Sequence, residues 1–176
     1  MEAAEVLARV RVFPDWPKPG VRFLDVGSLT ESPELFCWTV SGLSAIARRE
    51  GVEALVAVDA RGFLWGGAVA AEIGLPVVLA RKPGKLPGEP VCASYEYEYA
   101  SGSVCVQRGA PLRGKRVMVV DDVLATGGTL KALEGLLREE FGVSDVVLAV
   151  VLEIGGLAGR TRLECEGTKV CSLMCS

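Results

Sequence analysis

Four short, valine-rich apolar runs constrain this chain more than any other feature: Ala54 to Val58, Pro76 to Ala80, Arg116 to Val120 and Val146 to Leu152. Their near-continuous apolar character, without polar alternation, belongs to strands covered on both faces. Helical patterns fall between them. Ser32 suits an N-cap, with Pro33 at the first helical position and Leu35, Leu43 and Ile46 following. Leu130, Leu133, Leu137 and Phe141 recur at helical spacing, and Gly142 suits the stop. Strands alternating with helices predict an α/β fold, a mostly parallel central sheet flanked by helices. The 176 residues suit one domain over 1–176. Residues 63 to 80 are apolar enough to suggest a membrane span, but Glu72, Gly74 and Pro76 interrupt them. A buried helix leading into a buried strand is the better reading, with no membrane partner.

Composition excludes several chemistries. The chain has no histidine, which removes Ser-His-Asp and Cys-His catalysis, HExxH metal sites and any histidine acid–base step. Net charge is −3, against the basic stripe that a nucleic-acid partner requires. The six cysteines, Cys37, Cys92, Cys105, Cys165, Cys171 and Cys175, form no CxxC pair and lack zinc-ligand spacing. With a first segment unlike a secretory leader, they read as reduced thiols of a cytoplasmic protein.

Two regions break the rhythm. Residues 13 to 30, rich in proline and glycine, read as an ordered loop. In residues 82 to 109 a proline- and glycine-rich stretch precedes YEYEYASGSV, whose period-two tyrosines predict a β-ribbon bordering a flexible loop.

The chemistry concentrates in VMVVDDVLATGGT, residues 117–129. An apolar strand ends in two acids, and a glycine-containing turn then opens a helix. Ligands of open parallel sheets bind at the carboxyl ends of strands. Gly127 and Gly128 let the backbone approach a ligand closely, Thr126 and Thr129 add hydroxyl donors, and the helix start adds partial positive charge. Residues Ala125 to Thr129 therefore read as a cradle for one phosphate. Asp121 and Asp122, expected at a solvent-facing strand end, suit sugar hydroxyls as acceptors. No lysine follows the glycines, so this is not a Walker A loop. GAPLRGKR, residues 109–116, ends in arginine and leads into a strand, so it is not one either.

This string resembles the phosphoribosyl pyrophosphate (PRPP) motif of the type I phosphoribosyltransferases, and its ATGGT ending is typical of the adenine-specific branch. The likeness spans nearly the whole chain. FPDWPKPGVRFLDV resembles the branch's N-terminal base-binding hood, VDARGF its pyrophosphate loop, RKPGKLPG the basic loop after it, YEYEY its flexible catalytic loop and KVCSLM its closing strand. The resemblance implies transfer of a 5-phosphoribosyl group from PRPP to adenine, giving AMP and pyrophosphate. Mg²⁺ would be carried by the substrate without direct protein ligands, and the protein would be a homodimer. It also implies roles. Asp121 and Asp122 bind the ribose hydroxyls, and Ala125, Thr126, Gly127, Gly128 and Thr129 hold the 5′-phosphate. Arg61, Arg81, Lys82 and Lys85 bind pyrophosphate. Phe23 stacks on the base while the backbones of Arg22 and Leu24 read its edge. Glu98 and Tyr99 close over the site as catalytic residues. Pro83, Leu24 and Ala100 depart from residues frequent in the family. Two other readings remain open from sequence: a non-catalytic PRPP or nucleotide sensor of the same fold, and a phosphoribosyltransferase for another base.

Overall fold

In the computed structural model, which describes residues 1–97, 100–165 and 167–176, the described residues form nine strands and five α-helices. Helix α1 (Ala3–Ala8) precedes the strands β1 (Arg11–Phe13) and β2 (Phe23–Asp25), which pair antiparallel as a separate small sheet. A 3₁₀ turn over Val26–Glu31 leads into α2 (Pro33–Arg49). Then follow β3 (Ala54–Val58), α3 (Gly62–Ile73), β4 (Val77–Arg81), β5 (Val91–Tyr97), β6 (Ala100–Val106), β7 (Arg116–Leu124), α4 (Gly128–Phe141), β8 (Asp145–Glu153), α5 (Gly159–Glu164) and β9 (Lys169–Cys175).

Seven strands form the central sheet in the order β5-β6-β4-β3-β7-β8-β9. The run β4-β3-β7-β8-β9 is parallel throughout, and the β5–β6 ribbon joins β4 antiparallel. All five residues of β3 are buried, which explains why the sequence shows no alternation there. On one face α1, α2 and α3 cover Leu55, Met118, Val120 and Val151. On the other, α4 and α5 cover Val56, Val119, Leu148 and Val150. The Trp65 indole, wholly buried in α3, donates to the Thr39 hydroxyl of α2 at 2.9 Å, so its one polar atom is satisfied. Gly66 lets α3 lie directly on β3, since a Cβ there would stand 2.5 Å from that of Ala57.

Three expectations are corrected. Residues 13–30 are not simply a loop: three-residue strands pair Phe13 with Phe23 and Val12 with Leu24, too briefly for any alternation to register. Asp15 fixes the turn between them, its carboxylate accepting from the Gly20 N–H at 2.7 Å. Strand β7 does not stop at Val120 but runs to Leu124, pairing Asp121 with Val150 and Leu124 with Glu153. The acids therefore lie within the sheet, and Asp122 retains only 7% exposure rather than facing solvent.

The cysteines are not all thiols. Cys92 and Cys105 stand opposite each other in the β5–β6 ribbon, their Cα atoms 4.0 Å apart, and form a disulfide. A separation of 13 residues carried no pairing signal; antiparallel register brings the two together. Cys37, Cys165, Cys171 and Cys175 remain free. Alkylation of denatured, unreduced protein should therefore label four of the six cysteines, and all six after reduction. Six labels without reduction would show the ribbon to be unbridged.

Candidate active site

Strand β3 has β4 on one side and the later strand β7, also parallel to it, on the other, so the order in which strands are added to the sheet reverses between β3 and β7. A parallel sheet leaves a crevice at such a switch point. A cavity of about 330 Å³ opens there. Its wall is built from the strand ends: Asp59, Ala60 and Arg61 after β3, Arg81 and Lys82 at the end of β4, and Asp121 and Asp122 in β7. Thr129 of α4 and Tyr95 of β5 complete it. The Asp59–Ala60 peptide is cis. Gly62 brings the start of α3 against β7, since a Cβ there would stand 2.7 Å from the Val120 carbonyl oxygen.

Both arginines of this wall are paired with acids. The Arg61 guanidinium donates to the Asp122 carboxylate in a short contact. Arg81 Nε donates to Asp59 at 3.2 Å and its Nη1 to the Lys85 carbonyl at 3.2 Å, with the guanidinium 5.7 Å over the Phe63 ring. Asp121 Oδ1 accepts from the Asp122 N–H at 2.8 Å. Burial, and then the charge of Asp122, holds the Asp121 carboxyl well above the ordinary carboxylate range; Arg61 only partly opposes this.

A smaller cavity of about 100 Å³ adjoins the first, sharing Asp121 and Thr129 with it, and is formed by residues 123–130. This is the turn read from sequence as a phosphate cradle. Gly127 holds φ +81, and a side chain there would also meet the Gly159 carbonyl at 3.2 Å, so glycine is required twice over. Helix α4 begins at Gly128, with the Lys131 N–H bonded to the Gly127 carbonyl at 2.9 Å. The first amides of a helix have no partner inside it, which is what makes helix starts suited to anions.

The other expected site residues divide. Lys85 is exposed and does not line the main cavity, although its carbonyl ties the basic loop to Arg81. The hood places Phe23 against Trp16, ring centroids 4.4 Å apart, with Arg22 exposed and Leu24 buried. None of these three lines the main cavity; Arg22 borders a separate hollow of about 310 Å³ with Val12, Pro14 and Val21. Glu98 and Tyr99 lie outside the described residues. Sequence reasoning missed Asp59, Tyr95 and Arg162. Asp59 stood inside the quoted VDARGF string as the only acid beside Arg61. Tyr95 packs its ring on Gly102, whose Cβ would stand 2.5 Å from the phenol oxygen, and accepts from Thr129 Oγ1 at 2.9 Å. Arg162 had no signal at all.

A parallel sheet with a glycine-containing turn, two acids and a cationic loop gathered at its switch point is the arrangement of a phosphoribosyltransferase fold. The family model described as phosphoribosyl transferase domain matches residues 36–166. The adenine phosphoribosyltransferase of Aeromonas salmonicida (strain A449) is 41% identical over 168 residues, covering 95% of this chain and 92% of that protein. Among solved structures, that of adenine phosphoribosyltransferase from Thermoanaerobacter pseudethanolicus ATCC 33223 superposes with a TM-score of 0.89 at 35% identity, covering 99% of each chain. The Giardia lamblia enzyme complexed with 9-deazaadenine gives a TM-score of 0.90 at 31% identity, covering 100% of this chain and 98% of that one. The chain belongs to the phosphoribosyltransferase family and, within it, to the adenine phosphoribosyltransferases.

Proposed function

We propose that the chain transfers the 5-phosphoribosyl group of PRPP to adenine, releasing AMP and pyrophosphate, and that the two adjoining cavities at the switch point divide the substrate between them. The observation that carries this reading is that two cavities share Asp121 and Thr129, one formed by the turn at 125–129 and the other lined by the acids Asp121 and Asp122 together with the cations Arg61, Arg81 and Lys82. The turn suits the 5′-phosphate of PRPP, the acids its ribose hydroxyls and the cations its diphosphate.

In the mechanism, the amides of Ala125 to Thr129 hold the 5′-phosphate, and the hydroxyls of Thr126 and Thr129 add donors. Asp121 and Asp122 accept from the ribose 2′ and 3′ hydroxyls. Arg61 leaves Asp122 and Arg81 leaves Asp59 to face the diphosphate, so each internal ion pair is replaced by a ligand contact of the same sign pattern. Lys82 and Lys85 add charge from the basic loop. The acids of the wall are carboxylates, hard oxygen groups that suit Mg²⁺ and its retained waters, and Asp59 and Asp121 would hold such an ion through its waters. When bound, Mg²⁺ neutralises charge on the leaving diphosphate. As the bond at C1′ loosens, the cationic loops stabilise the departing group, and N9 of the base attacks the opposite face. Phe23 stacks on the base, the backbones of Arg22 and Leu24 read its edge, and Glu98 manages the proton on its imidazole side. Tyr99 closes the site with Glu98 and excludes water. For the hood to reach the base, it must present Phe23 to the mouth of the main cavity.

The proposal includes a homodimer in the cytoplasm. Leu64 of α3 and Val77 and Leu79 of β4 are exposed apolar side chains, and Val77 pairs in register with Leu55 on the α3 face of the sheet, which gives a second copy something to cover. No helix among the described residues is long and apolar enough to cross a membrane.

Incubation with PRPP, Mg²⁺ and each nucleobase in turn tests the reaction. AMP and pyrophosphate should form with adenine, and hypoxanthine, guanine, xanthine and orotate should give far less product. Equal use of hypoxanthine would remove the adenine assignment, and binding of PRPP without turnover of any base would favour a sensor.

A further inference from the structure

We infer that α5 is the positioning element of the phosphate cradle: Gly159 leaves room for one carbonyl of the turn and Arg162 holds the next, and together they aim the amides that follow at the ligand. The inference rests on the reading of residues 125–129 as the 5′-phosphate site, and adds residues that no motif of that site contains.

The first contact is steric. Gly159 lies so close to the turn that a Cβ there would stand 2.2 Å from the Ala125 carbonyl oxygen and 2.9 Å from Leu124 Cδ1. The second is a hydrogen bond: Arg162 Nη1 donates to the Thr126 carbonyl at 2.7 Å. Both carbonyls are thus directed at α5. In a trans peptide the carbonyl and the next residue's N–H point in opposite directions. The cis bonds of the described chain are Trp16–Pro17 and Asp59–Ala60, so both of these peptides are trans. The N–H groups of Thr126 and Gly127 must therefore point away from α5. The 100 Å³ cavity of the turn is lined by Asp121 and residues 123–130 and by no residue of α5, as amides pointing away from α5 require.

Helix α5 is itself fixed. Arg160 donates to both oxygens of Glu153 on β8 and to the Val170 carbonyl and Ser172 hydroxyl of β9. Leu163, 2% exposed, packs beneath Gly127, where a Cβ would meet its Cδ1 at 3.3 Å. The six residues of α5 thereby connect β8 and the edge strand β9 to the turn. Preorganised amides bind an anion without first being oriented, which is why holding the carbonyls strengthens the site.

Calorimetric titration with ribose 5-phosphate, and separately with pyrophosphate plus Mg²⁺, tests this on wild type, Arg162→Ala and Gly159→Ala. Ribose 5-phosphate affinity should fall about tenfold or more in both variants. Pyrophosphate affinity should hold in both, since the diphosphate cations lie on other elements. Unchanged ribose 5-phosphate affinity in Arg162→Ala overturns the inference, as does an equal loss of both ligands, which would mean general damage. A loss in Arg162→Ala alone also overturns it, because Gly159→Ala changes no charge and that pattern would make Arg162 a direct phosphate cation. A wild type that ignores ribose 5-phosphate while binding pyrophosphate removes the cradle reading, and the inference with it.

Discussion

With Asp121 and Asp122 both replaced by asparagine, turnover of PRPP is expected to fall by about 10²-fold or more, because two ribose hydroxyls lose charged acceptors worth about 1.5–3 kcal/mol each. Stability should move the other way for Asp121→Asn alone. The Asp121 carboxyl is held above its ordinary range by burial and by the charge of Asp122. The folded state thus grips that proton more tightly than the unfolded chain does. Between the unfolded value, about 3.9, and the raised folded value, wild-type stability falls as pH rises, and above that window the full penalty remains. Asparagine carries no such penalty and keeps an oxygen for the Asp122 N–H, whose bond to Oδ1 is 2.8 Å. Melting curves should therefore coincide near pH 4 and separate toward pH 8, with Asp121→Asn the more stable. Unchanged PRPP kinetics in the double variant would remove the ribose assignment, and an Asp121→Asn no more stable at pH 8 would show that the acid is not strained.

Arg160→Ala is expected to cost about 3–5 kcal/mol of stability, the usual result of stranding a buried charge. Glu153 keeps 7% exposure and accepts from Arg160 Nε at 2.9 and 3.0 Å, from its Nη2 at 2.6 Å and from Ser172 at 2.8 Å. Arg160 holds the Glu153 carboxyl below its ordinary range. The pair's contribution is then fully present above the unfolded glutamate value, about 4.3, and is lost as pH falls through the lowered folded value. In Arg160→Ala burial dominates and the sign reverses, so acidification should narrow the gap between variant and wild type. Urea unfolding at pH 7 and pH 4 measures both effects. A variant with the wild-type midpoint at pH 7 would show that the network does not carry the end of the sheet.

How much of this was legible in sequence depends on the range of the interaction concerned. Strand β3 coincides with the valine-rich run at Ala54–Val58, because burial on both faces writes itself directly into consecutive residues. The cap at Ser32 and the stop at Gly142 are equally local: the Ser32 hydroxyl accepts from the Leu35 N–H at 3.4 Å, and Gly142 takes φ +59. The turn at 125–129 and the start of α4 behind it were readable because the turn's glycines, its threonines and the helix are contiguous. Tertiary structure alone decided the rest. The switch point exists because β7 crosses to the far side of β3 from β4, a choice that no window of sequence contains. The disulfide joins Cys92 to Cys105 only through ribbon register. The pairing of Arg61 with Asp122 spans 61 residues and that of Arg162 with Thr126 spans 36. Residue types, caps and turns are short-range and survive in the linear text, whereas the charge pairs and close backbone contacts that shape this site appear only once the sheet has brought its strand ends together.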